Sequence, residues 1–94
     1  MTQEEKEKTI KMIDGFYTKG YLWFLLGSLI SADCFIEVDK DKLKSQYEFN
    51  IELMQDIHDC VDDSNIPEEE KVKVKEHTIQ GLELLKNEMK TVIG

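Results

Sequence analysis

Between Asp41 and Asp62 two classes of side chain recur with one period, and that period is helical. Tyr47, Ile51, Met54, Ile57 and Val61 fall on one side, and Phe49, Leu53 and Cys60 widen this apolar arc to about 200°. Glu48, Glu52, Asp56, Asp59 and Asp63 step by four, four, three and four residues. At about 100° per residue they occupy roughly 80° of the complementary surface, beside Gln55 and Asp62. Such a helix has one face for the fold and one for the outside.

The rest of the chain carries compatible signals. Thr2-Gln3-Glu4-Glu5 has capping-box form, with Thr at the N-cap and Glu at the third helical position. A first helix follows on Ile10, Ile13, Phe16 and Tyr17, closed after Lys19 by Gly20. Residues 21–26 are apolar on all sides and predict a short central helix ended by Gly27 and Ser28. Ser31 offers a further cap, and residues 34–38 fit a helical turn or a strand equally well. Asn65 and Glu68 repeat the capping-box spacing, with Pro67 in the first turn of a last helix running to about Val92. Its expected apolar line is Ile79, Leu82, Leu85, Met89 and Val92 or Ile93, with Gly81 admitting a close neighbour. Neither repeat nor linker interrupts the pattern. The expectation is one all-α domain spanning residues 1–94, a small bundle of about four helices with short connections.

Composition narrows the function. At 40 % apolar residues, with Trp23, three Tyr and four Phe, the chain can build a core. Phe16, Tyr17, Tyr21, Trp23 and Phe24 are assigned to it, with one or two rings left partly exposed. The longest apolar run, ten residues, is half of a bilayer span. The charged N-terminal stretch has no signal-peptide character. Two cysteines, Cys34 and Cys60, read as reduced buried thiols of a cytoplasmic protein. A net charge of −8 disfavours nucleic acid and anionic lipid as direct ligands and favours a basic protein surface.

No catalytic constellation emerges. His58 and His77 lie in no recognised motif, and His58 reads as a hydrogen-bonded boundary residue rather than a general base. Cys34, Cys60, His58 and His77 lack zinc-ligand spacing, and the acids of residues 59–65 lack the alternate ligands and central Gly of a calcium loop. Neither metal nor cofactor is expected, and the chain reads as a non-enzyme. The acidic stripe differs from ordinary solvated faces because residues 45–70 hold nine carboxylates and no Lys or Arg. Like charges three and four apart repel by a few tenths of a kcal/mol per pair. A cationic partner would relieve that repulsion. The candidate partner-binding residues are Glu48, Glu52, Asp56, Asp59, Asp62 and Asp63, with Tyr47 as the aromatic anchor.

The segment Leu25-Leu26-Gly27-Ser28-Leu29-Ile30-Ser31-Ala32-Asp33-Cys34-Phe35 resembles the small colicin D-type immunity proteins, which join an apolar helix through a short turn to an acidic helix. The likeness covers residues 21–63. It implies a helical antidote whose acidic surface plugs the basic active site of a cognate nuclease toxin, and it assigns no binding residue. The N-terminal helix and the all-Lys basic content have no counterpart in that family. The function expected is therefore a non-enzymatic inhibitor of a basic target, an immunity protein or antitoxin. A phage-encoded anti-defence inhibitor, acting as a nucleic-acid mimic or by sequestering a nucleotide signal, uses the same physics. Two rivals belong to other classes: a homo-oligomeric assembly module using Tyr21, Trp23 and Phe24, and a binder of a small anion using Lys19, Lys40 or Lys42. Oligomeric state is left open.

Overall fold

A computed structural model describes residues 2–30 and 39–93, without the side chains of Lys40, Val92 and Ile93. Among these residues the fold is all-α: α1 (Gln3–Lys19), α2 (Leu22–Ile30), α3 (Lys40–Cys60), a 3-10 turn (Val61–Asp63) and α4 (Glu68–Ile93). Cys34, the Ser31 cap and the helix-or-strand alternatives at residues 34–38 lie outside the described residues.

Both ends of α1 follow their sequence signals. Thr2 Oγ1 accepts the Glu5 amide at 3.1 Å. At the other end Gly20 takes φ 80°, where its N–H reaches the Phe16 and Tyr17 carbonyls. Tyr21 N–H then donates to Phe16 O at 2.8 Å, completing a Schellman close that reverses the chain into α2. An L side chain at position 20 would meet no neighbour, so the backbone alone demands glycine there.

Two expectations for α2 need correction. It does not end at Gly27 and Ser28 but runs to Ile30, with the Ser28 hydroxyl bonded back to Phe24 O. Nor is it surrounded: Leu22, Leu26 and Leu29 are buried, whereas Phe24 is 76 %, Tyr21 56 % and Trp23 42 % exposed. Nine residues present one helical stripe to α1, α3 and α4, and that stripe is aliphatic. The aromatic residues follow on the opposite side.

The long helices α3 and α4 run antiparallel, as His58–Thr78, Met54–Gly81 and the shared burial of Tyr47 and Leu85 show. A Cβ at Gly81 would stand 3.1 Å from Ile30 and 3.2 Å from Met54, so glycine there does admit two close neighbours. The predicted apolar line of α4 is partly displaced. Leu82 and Leu85 are buried, but Ile79 is exposed and the inward positions before it are Val74 and Thr78. Thr78 can occupy the core because its hydroxyl donates to Lys75 O and also meets His58. Asn65 does not cap α4: its N–H and side-chain amide donate to Asp14 of α1, at 2.8 and 3.1 Å. The Pro67 carbonyl receives the Glu70 and Lys71 amides of α4, both at 3.0 Å.

Buried polar groups tie the packing together. Asn50 on α3 donates to Leu29 O at 2.9 Å, satisfying a C-terminal carbonyl of α2, and accepts from Gln46. Lys71 is buried under the 3-10 turn, with Nζ donating to Asp62 O and Glu68 Oε1. The main core joins Ile13, Leu22, Leu26, Met54, Ile57, Val61, Val74 and Leu82. No described helix is long and apolar enough to cross a membrane.

Candidate functional site

The acidic stripe does not survive as one continuous ridge. α3 ends at Cys60, so Asp62 and Asp63 belong to the 3-10 turn and leave the line set by Glu48, Glu52, Asp56 and Asp59. Both turn acids meet lysines of the same chain: Lys6 Nζ lies 2.6 Å from Asp63 Oδ2, and Lys75 Nζ pairs with Asp62. Those lysines come from α1 and α4, outside the lysine-free window, and folding brings them in. Glu48 has Lys44 one turn earlier, 3.9 Å away, a loose and exposed pair.

Tyr47 is the clearest correction. Its side chain is fully buried with Leu85, packed by Leu43, Ile51 and Met89, and so offers nothing to a partner's surface. Tyr47 shares the apolar stripe with Ile51 and Met54, and that membership outweighs its position next to Glu48.

What remains is a tighter site. Among the described residues Glu52, Asp56 and Asp59 make no ion pair, and Asp59 Oδ1 accepts only from Gln55 Nε2 at 3.0 Å. Asp56 stands at the centre, half-buried. Burial pushes its carboxyl above the ordinary value of 3.8, and the charges of Glu52, Asp59 and Glu5 push it in the same direction. Glu5 belongs to α1, so two helices contribute to this acidic patch. Sequence reasoning missed Glu5 because its four-residue periodicity belongs to a different helix. The opposite sign holds one turn further on. A hydrogen bond and the charge of Lys6 draw the Asp63 carboxyl below its ordinary value, while Asp63 raises Lys6. The face is therefore graded: ion-paired at the 3-10 turn and, among the described residues, without an ion pair around Asp56.

The other chemistry-bearing residues make contacts within the fold. His58 Nδ1 and Thr78 Oγ1 share a hydrogen bond at 2.9 Å. His58 is thereby a hydrogen-bonded boundary residue. The His77 ring meets Trp23 edge-on, centroids 5.4 Å apart, and Trp23 Nε1 donates to Glu70 at 3.2 Å. Cys60 is buried, and burial followed by the Asp56 charge raises its thiol pKa, which suppresses the reactive thiolate. No three His, Cys, Asp or Glu side chains among the described residues are arranged to hold a metal ion.

No protein-family model, curated protein or solved structure matches this chain.

Proposed function

We propose that the protein is a non-enzymatic binding protein that neutralises a basic macromolecule, docking it on the α1–α3 acidic patch. The observation that carries this reading is Asp56: half-buried, flanked by Glu52, Asp59 and Glu5, with no lysine against it among the described residues. A cationic side chain from outside would remove that repulsion and gain the attraction of several carboxylates at once. The target class is a basic protein such as a nuclease, whose phosphate-binding groove would accept Glu52, Asp56 and Asp59 in place of phosphates. An immunity protein or antitoxin, of the kind the colicin D-type resemblance implies, is the most concrete form. An anti-defence inhibitor mimicking nucleic acid is the alternative. Affinity capture from the host at low and high salt tests it. The captured protein should carry a basic face, and salt should weaken association mainly through the on-rate. Capture that is indifferent to salt contradicts the reading.

A second reading rests on α2. Tyr21, Trp23 and Phe24 are exposed together, and Gly27 and Ser28 continue that face, so a second copy could seat against it. Light scattering separates the two: a closed assembly whose mass does not change with concentration favours self-association, and a monomer favours the inhibitor.

A further inference from the structure

A hollow of about 270 Å3 opens on the C-terminal half of α1, lined by Lys11, Met12, Gly15, Phe16, Lys19 and Tyr21. It has no carboxylate in its lining and two lysines, on a chain of net charge −8. Lys11, Gly15 and Lys19 succeed one another at four-residue steps and so form one line on α1. Among the described residues neither lysine has a carboxylate within ion-pair distance. The nearest acids in sequence are occupied elsewhere: Glu7 accepts from Gln3 at 3.4 Å, and both oxygens of Asp14 accept from Asn65. Six other lysines, Lys6, Lys8, Lys44, Lys71, Lys73 and Lys75, are paired internally. Among the described residues Lys11 and Lys19 are not, a state they share with Lys42, Lys86 and Lys90, but they alone flank one hollow from a single helix line.

The turn at Gly20 supplies the second element. It returns Tyr21 N–H to Phe16 O, which fixes Tyr21 beside the Phe16 wall of the hollow. Tyr21 is also more than half exposed. Gly15 forms the gap between the lysines, where an added Cβ would meet nothing within 4 Å. Two cations, two aromatic rings and an open floor match a ligand with an anionic end and a flat one. The volume lies just below the range of about 300–1,000 Å3 usual for small-molecule sites, so the ligand is small. The overall negative charge excludes a long polyanion from the same surface.

We propose that this groove binds a small anion bearing a planar ring, of nucleoside-monophosphate size, with Lys11 and Lys19 holding the anionic end and Phe16 and Tyr21 the ring. The site is separate from the acidic patch and stands or falls independently of it.

Titration of the full chain with adenosine monophosphate, followed by amide NMR shifts, tests the proposal. Saturable shifts at Gly15, Lys19, Gly20 and Tyr21, with a dissociation constant of about 1 mM or tighter, are expected. The double variant Lys11→Ala/Lys19→Ala should weaken binding by about tenfold or more, the factor that follows from losing about 1.4 kcal/mol. Gly15→Leu should block the groove while leaving the helical CD spectrum unchanged, because its Cβ meets no neighbour. Absence of shifts at about 10 mM nucleotide overturns the proposal. So does wild-type affinity in Gly15→Leu or in the lysine double variant. Inorganic phosphate binding as tightly as the nucleotide removes the rings from the account, and adenosine binding as tightly removes the lysines. Either result overturns it.

Discussion

Lys6 Nζ sits 2.6 Å from Asp63 Oδ2, bridging α1 to the 3-10 turn, and this contact marks where the acidic face becomes compensated. On one side of it Asp62 and Asp63 are matched by Lys75 and Lys6; on the other, Glu52, Asp56 and Asp59 make no ion pair among the described residues. The two regimes predict opposite effects of removing a charge.

Asp63 is held below its ordinary pKa of 3.8 by Lys6. A carboxyl depressed in the folded state contributes stability above its unfolded pKa and loses it as pH falls through the folded value. Asp63→Asn should therefore lower the urea midpoint at pH 7. The difference from wild type should fade as pH drops below 3.8 towards the lowered folded pKa.

Asp56 carries the reverse sign. Its folded pKa is raised, so its favourable contribution is complete below 3.8 and disappears as pH rises through the folded value. Asp56→Asn should stabilise the protein at pH 7 by about 0.5 kcal/mol, after solvent screening of repulsions with Glu52 and Asp59. In urea titrations that gain should vanish below pH 3.8. A destabilised variant at pH 7 would mean that Asp56 makes a favourable contact in the native state.

Much of this was legible in the chain, for reasons that differ by element. Local rules located α1, because the Thr2 cap and the Gly20 close need only residues three to five positions away. The α3 pattern was equally legible, since a 21-residue amphipathic helix averages over many positions. The acidic patch was half legible. Periodicity found Glu52, Asp56 and Asp59, but Lys6, Lys75 and Glu5 reach the site through tertiary folding that spacing does not encode. Tyr47 was misassigned because a tyrosine one residue from a charged stripe can belong to either face, and burial beside Leu85 decides it. The aromatic face of α2 was misassigned because nine residues can bury only one stripe.

Gly20 makes a backbone prediction. Its φ of 80° places it in the left-handed region, and an added side chain has room but the wrong geometry. Gly20→Ala should destabilise by about 1–2 kcal/mol in chemical denaturation, without altering native helix content. A change near zero would show that the reversal into α2 does not depend on that conformation.

Asn50 makes a packing prediction. It is buried and donates to Leu29 O at 2.9 Å. Asn50→Ala leaves that carbonyl without its donor and should cost about 1–3 kcal/mol. Hydrogen exchange should show the loss concentrated at the C-terminal turn of α2, whereas uniform loss across α3 would place the role of Asn50 elsewhere.

Charge reversal at the centre of the patch tests the binding account most directly. Wild type and Asp56→Lys/Asp59→Lys should give matching helical CD spectra, since neither position is in the buried core. Surface-immobilised, the wild-type chain should retain a basic host protein at low salt, and the doubly reversed chain should lose it. Equal retention by the two would contradict the claim that Glu52, Asp56 and Asp59 form the docking surface.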